Sequence, residues 1–186
     1  GAKMSSQKPK MLLHVCCAPC STAVIERLKD RFDITGYFYD PNIHPEKEYH
    51  RRLDEAKIFY REIGLTLIEA PYDLERWFSL TEGMKGEPEG GKRCETCYDM
   101  RLEKAAEFAK ENGFDIFTTV LSISPHKKAA VINSIGRRLA ERYGIRFYEA
   151  DFKKKDGFKK SLELSREHNL YRQNYCGCVF SKARRS

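Results

Sequence analysis

The sequence predicts an α/β protein, a single-domain parallel sheet covered by helices on both faces. Three observations predict it. Short apolar runs alternate with longer segments of helical periodicity, in the order β-α-β-α-β-α-α-β-α-β. The 186 residues suffice for one such domain and are marginal for two. No apolar run approaches the roughly 18 residues needed to span a bilayer. Residues 1–9 are expected to be disordered, with Gly1–Lys3 an expression remnant ahead of a Met4 start, and residues 10–186 to form the domain. Gly1 to Ser6 lacks the apolar centre of a signal peptide, so the cytosol is the expected compartment.

Each element has a local reason. Residues 10–16 form a short apolar run suited to a central parallel strand. Pro19 and Ser21 stand where a helix starts, and Ala23, Val24, Ile25 and Leu28 supply its buried face. A second strand over 32–39 ends at Asp40-Pro41-Asn42, because Pro41 disfavours helix at Asp40. Pro45 opens a helix over 46–63 with Tyr49, Leu53, Ala56, Phe59, Tyr60 and Ile63 on one face, and Gly64 stops it. A strand over 65–70 and a short helix over 74–80 follow. The glycine-rich stretch 83–91 has no phosphate-loop pattern and reads as a mobile lid or a connector. A helix over 97–111, a strand over 114–121, a helix over 127–143 and a strand over 145–150 complete the series, followed by a basic tail. In parallel sheets, sites lie beyond the carboxyl ends of strands. The first cysteines, Asp40 to Asn42, Tyr72-Asp73 and Ser122 to Pro125 all fall at such ends.

The seven cysteines are not scattered. They form three groups, Cys16-Cys17-x-x-Cys20, Cys94-x-x-Cys97 and Cys176-x-Cys178. In a reducing compartment, clustered thiols are metal ligands or redox centres more often than disulfides. Thiolates are soft ligands that suit zinc, copper(I) and iron–sulfur clusters. One tetrahedral zinc uses four ligands and leaves three over. An iron–sulfur cluster also takes four, and the surplus then suits a second metal or a redox pair. Two blander assignments remain: a zinc knot tying the tail to the sheet, and a thioredoxin-like C-x-x-C. Adjacent Cys16 and Cys17 point in different directions, which suits two centres.

The formal net charge is +7. A modest excess of this kind fits either a solvated surface or a polyanionic partner. Lys153, Lys154, Lys155, Lys159 and Lys160 cluster ahead of the last cysteine pair and are the candidate nucleic-acid contacts. Tyr39, Tyr72, Tyr98, Tyr171 and Tyr175 are candidate stacking platforms.

The combination of His14-Val15-Cys16-Cys17-Ala18-Pro19-Cys20, Pro41-Asn42-Ile43-His44-Pro45, Cys94-x-x-Cys97-Tyr98, Leu121-Ser122-Ile123-Ser124-Pro125 and Cys176-Gly177-Cys178 resembles the epoxyqueuosine reductase family known as QueH. The resemblance implies a HUP-like, Rossmann-like fold related to the ATP-pyrophosphatases. Their glycine-rich phosphate loop is replaced here by Cys17-Ala18-Pro19-Cys20-Ser21, which lacks the glycines and one N–H, so ATP is not expected there. It also implies two-electron deoxygenation of epoxyqueuosine at the wobble position of tRNA, with a [4Fe–4S] cluster, a nearby mononuclear metal, iron being expected, and an external electron donor. Cys17, Cys94, Cys97 and Cys176 are then assigned to the cluster. Cys16, Cys20 and Cys178 are assigned to the second metal, with Asp40 or Asp99 as an added carboxylate. Tyr98, His14, His44 and His126 are the candidate proton donors, His14 reading more simply as a core histidine. The rival from another class is a zinc-stabilised or redox-sensing RNA-binding module without catalytic activity.

Overall fold

A parallel sheet of five strands is the frame on which everything else is placed. The computed structural model describes residues 7–185; the expected expression remnant lies outside them. Strands β1 (Lys10–His14), β2 (Asp33–Phe38), β3 (Leu67–Glu69), β4 (Ile116–Thr119) and β5 (Arg146–Phe147) lie in the order β3-β2-β1-β4-β5, all parallel. Met11, Leu12, Leu13 and Phe117 are fully buried, as a central strand covered on both faces requires. Helices α1 (Ala18–Leu28), α2 (Glu46–Glu62) and α6 (Gly157–Glu167) pack together on one side. Helices α4 (Lys92–Glu111) and α5 (Ala129–Tyr143) pack together on the other, with α3 (Leu74–Leu80) against α4. Helix α7 (Val179–Arg185) ends the described chain.

The element order agrees with the sequence pattern, and three details differ. Helix α4 begins five residues before the expected start, because Gly91 precedes it and Lys92 and Arg93 continue its spacing. Both Cys94 and Cys97 therefore stand in its first two turns. The basic region after β5 carries a further helix. Leu162, Leu164 and Phe158 give it an amphipathic helix, α6, that lies on α1. The stretch 83–91 is anchored: Arg93, 1% exposed, donates from Nη1 to Met84 O at 3.1 Å and Glu87 O at 2.8 Å.

The strand order reverses on either side of β1. Its carboxyl end, beside that of β4, is the switch point at which crevices form in sheets of this kind. Residues 15–20 leave β1 there, and a 3-10 turn, Leu121–Ile123, leaves β4 there.

Candidate metal and active site

Cys16, Cys17 and Cys20 meet at this point. Pro19 sits in the first turn of α1, where a missing N–H leaves no intrahelical bond unmade. The turn brings the three sulfurs together, all within 4.8 Å of one another. Burial pushes the Cys17 thiol up. Hydrogen bonds from Cys16, Cys20 and Gln173, and the Arg52 cation, outweigh it and hold Cys17 well below the usual thiol range. Gln173 Nε2 donates to Cys17 Sγ at 3.1 Å. Cys16 and Cys20 are raised in turn, each first by its hydrogen bonds within the triad. Within the triad, Cys17 is thus the thiol favoured for ionisation.

The other cysteines come from α4 and the segment before α7. Cys97 is buried, which raises it to about 11, while Arg101 opposes that shift. Cys94 Sγ accepts from Gly90 N at 3.2 Å. Cys176 opens into the same cavity as Cys16 and Cys20, about 200 Å³ in volume. Cys178 is raised by burial and opposed by the backbone N–H groups of Ser181 and Phe180 and by Arg93.

The segment carrying the last pair is tied down. Arg52, buried on α2, donates to Cys176 O at 2.6 Å and Tyr175 O at 3.0 Å, and pairs through Nε with Glu48. His44 N donates to Gly177 O at 2.7 Å, and His44 Nδ1 accepts from Val179 N at 3.2 Å. Gly177 has φ +138°, and a Cβ there would lie 3.0 Å from Ile43 and 3.1 Å from Arg52, so the close approach requires glycine.

Cations surround the thiols. Arg101, 1% exposed, lies among Cys97, Cys176, Asp40 and Cys16. Its Nη1 reaches Asp40 Oδ1 at 3.4 Å, while Nε and Nη2 are buried without partners. Burial works to lower Lys127, but Cys176, Tyr98, Cys16 and Cys20 outweigh it and hold the ammonium charged. Arg52 is likewise raised against burial, first by Cys17.

The expected site residues take these positions. The expected division grouped Cys17 with Cys94 and Cys97, and Cys178 with Cys16 and Cys20. In the structure Cys16, Cys17 and Cys20 stand together, because all three leave β1 in one turn, and Cys178 lies near Arg93. Asp40, 0% exposed, is held in place by His14 Nε2 at 3.1 Å and Arg101. Asp99 faces away, paired with Arg138 on α5 at 2.7 Å. His14 is a satisfied core residue, bonded also to Thr119 Oγ1 at 2.9 Å. His44 braces the loop after β2. Tyr98 is buried beside Lys127 and Cys176, and burial holds its phenol protonated. Of the stacking candidates, Tyr39 is wholly buried, Tyr72 stacks on Tyr49, and Tyr171 lies under Arg51.

Lys153 is not a free cation. Its Nζ donates to Ser122 O at 2.8 Å and Lys127 O at 2.9 Å, and pairs with Asp151. Lys154 is exposed, and Lys155, Lys159 and Lys160 border a shallow depression that also contains Glu26, Asp156 and Glu163. Sequence reasoning missed Arg52, Arg101, Lys127 and Gln173. Arg52 falls on the apolar face of α2 with Tyr49, Leu53 and Ala56. Arg101 falls four residues after Cys97 and seven after Cys94, on one helical face. Those two spacings were legible; Lys127 and Gln173 stand in irregular segments with no such periodicity.

The fold and site together define a thiol-rich class of parallel α/β protein, with three thiols placed closely enough to hold a metal. The U34-tRNA thiolase NcsA from Methanococcus maripaludis, described with its [4Fe–4S] cluster, has the same fold (TM-score 0.61, 14% identity, 97% of this chain and 64% of that one). A family model for the epoxyqueuosine reductase QueH matches residues 11–184. The QueH protein of Streptococcus pyogenes is 43% identical over 182 residues, covering 95% of this chain and 71% of that protein. That of Haemophilus influenzae is 46% identical over 174 residues, covering 92% and 71%. The chain belongs to the epoxyqueuosine reductase QueH family and is an oxidoreductase.

Proposed function

We propose that this enzyme reduces epoxyqueuosine in tRNA to queuosine, using a [4Fe–4S] cluster and a second, mononuclear metal held by the seven cysteines. The observation that carries this reading is the meeting of Cys16, Cys17 and Cys20 within 4.8 Å, next to Cys176 and under three buried or half-buried cations. Cys16, Cys17 and Cys20 form one donor set. Cys94, Cys97, Cys176 and Cys178 are the remaining candidate ligands, with Cys176 opening into the same cavity as Cys16 and Cys20.

The donor chemistry fits. Seven thiols exceed what one zinc takes, and soft sulfur ligands suit iron–sulfur centres. Thiolate-ligated clusters carry net negative charge. Arg101 offers two buried, unpartnered N–H-bearing nitrogens beside Cys97 and Cys176. Such donors stabilise sulfur-borne charge and adjust reduction potential. When bound, these groups supply single electrons and a Lewis acid, which an epoxide deoxygenation needs.

The residues then have definite tasks. Arg52 fixes the backbone at Cys176. Gln173 orients the Cys17 thiolate. Asp40 and His14 set the position of Arg101. Tyr175 and Ile123 limit water around the cavity. Overall, the substrate gains two electrons and two protons, both C–O bonds of the epoxide break, and water leaves. The electrons come from an external one-electron donor. The tRNA substrate places the enzyme in the cytosol; no described helix is long and apolar enough to cross a membrane.

Anaerobic purification with iron, sulfide and zinc analysis tests the reading. About four sulfides and five irons per chain, with turnover of epoxyqueuosine-containing tRNA under a low-potential reductant, is the expected result. One zinc and no sulfide would return the protein to a structural knot.

A further inference from the structure

Lys127 lies between the 3-10 turn and α5, and lines the same cavity as Cys16, Cys20 and Cys176. Its backbone is fixed from two sides. Its N–H donates to Ser124 O at 3.2 Å, and its carbonyl accepts from Lys153 Nζ at 2.9 Å. Among the described residues, its own Nζ has no hydrogen-bond partner and no carboxylate. This distinguishes it from the other cations of the site. Arg52 is spent on Glu48 and two carbonyls, and Arg101 is fully buried against Asp40. Lys127 alone among them is half-buried, with its donors free at a cavity wall opposite thiols.

A cavity of this size admits a small ring. Arg101 also lines it with two unpartnered nitrogens, but that side chain is fully buried beside Cys97 and Cys176, whereas the Lys127 ammonium stands half-buried at the wall. An epoxide oxygen is a hydrogen-bond acceptor that becomes far more basic as its first C–O bond opens. A preorganised cation at that place stabilises the growing charge without reorganisation. We infer that the Lys127 ammonium receives the epoxide oxygen of the substrate and stabilises the negative charge that develops there, as a catalytic residue of the reduction. The inference rests on the proposed activity. The overall change is the one given above, and Lys127 is unchanged by it: it donates a hydrogen bond to the oxygen until that oxygen has been protonated and leaves as water.

Lys153 has a corresponding role as a positioning residue. It ties Ser122 O and Lys127 O together and pairs with Asp151, which fixes the turn that presents the ammonium. A one-ångström displacement of such a group is enough to lower a rate.

The test compares wild type, Lys127→Gln and Lys127→Arg after anaerobic loading. Three quantities are measured: iron and sulfide content, affinity for tRNA bearing either epoxyqueuosine or queuosine, and single-turnover rate. The expected result for Lys127→Gln is unchanged iron and sulfide, and a rate lower by about 10²- to 10³-fold. Its preference for epoxyqueuosine-tRNA over queuosine-tRNA falls about tenfold, while affinity for queuosine-tRNA stays within about twofold. Lys127→Arg, which keeps a cation, retains more of the preference. Loss of iron from Lys127→Gln would assign the lysine to the metal shell and overturn the inference. An equal loss of affinity for both tRNAs, with a shallower salt dependence, would make it a phosphate contact and overturn it too. A wild type that turns over while Lys127→Gln matches it overturns this inference alone. A loaded wild type that fails to turn over overturns the proposed activity, and the inference with it.

Discussion

Asp40 carries no exposed surface and has a cation within reach on only one side. Burial raises its carboxyl, while His14 and Arg101 pull it back. Its Oδ2 has no partner, and neither do two nitrogens of Arg101. A buried pair of this kind is a weak source of net stability but is expensive to break, because the surviving charge is left uncompensated. Asp40→Asn is therefore expected to destabilise the protein by about 3 kcal/mol, read as a lower midpoint in urea. An unchanged midpoint would mean that the thiolates alone neutralise Arg101. The same logic explains why the cysteines titrate apart. Within one turn only one of three close thiols is easily ionised, and Cys17 is the one with Arg52 and Gln173 on its side.

At the scale of elements, the segment before α7 is held by hydrogen bonds rather than by a large apolar face. Arg52 and Tyr175 Oη, which donates to His44 O at 2.5 Å, tie it to α2 and the loop after β2. His44 completes the tie, stacked on Phe78, edge-on to Trp77 and accepting from Val179 N. Burial lowers its pKa to about 4, opposed by its bond to Pro41 O. A histidine depressed in the folded state stabilises fully above its unfolded pKa and loses that contribution as pH falls through the folded value. Between about pH 6.5 and pH 4, wild type is expected to lose up to about 3 kcal/mol more than His44→Gln. Urea midpoints at several pH values measure the difference. Parallel curves for the two proteins would show that His44 is not the group responsible. Helix α5 shows a different device: Gly136 lets it approach β5, where a Cβ would stand 2.2 Å from the Phe147 ring.

For the whole molecule, the net charge of +7 conceals an uneven arrangement. Much of the buried positive charge faces the thiols. The exposed lysines of α6 and the turn before it are interleaved with Glu26, Asp156 and Glu163, which weakens any field they project. His126, Lys127 and Arg172 border the cavity itself. Replacing Lys155, Lys159 and Lys160 with Gln is expected to weaken tRNA binding and to reduce the slope of log affinity against log salt by about two. A slope that does not change would move the RNA backbone to the cavity rim.

The sequence by itself determined the α/β class, the alternation of elements, the switch-point location of the first thiol group and the family. These rest on local periodicity, on turn chemistry at Pro41 and Gly64, and on cysteine spacings, which are short-range facts. Helix α3 was legible to the residue, because Asp73 and Thr81 flank an unbroken periodic run. Helix α6 was not, because its lysines and the turn at Lys155 and Asp156, both at positive φ, read as a basic tail until α1 covers the apolar side. Tertiary structure alone decided which thiols stand together, that Lys153 is a brace and Lys127 a free donor, and that Arg52 and Arg101 face the cysteines. The physical reason is that these are contacts between distant segments. Adjacent Cys16 and Cys17 were expected to point apart, but the tight start of α1 brings both sulfurs together with Cys20. A lysine's role depends on which carbonyl or carboxylate another strand end brings within about 3 Å of it.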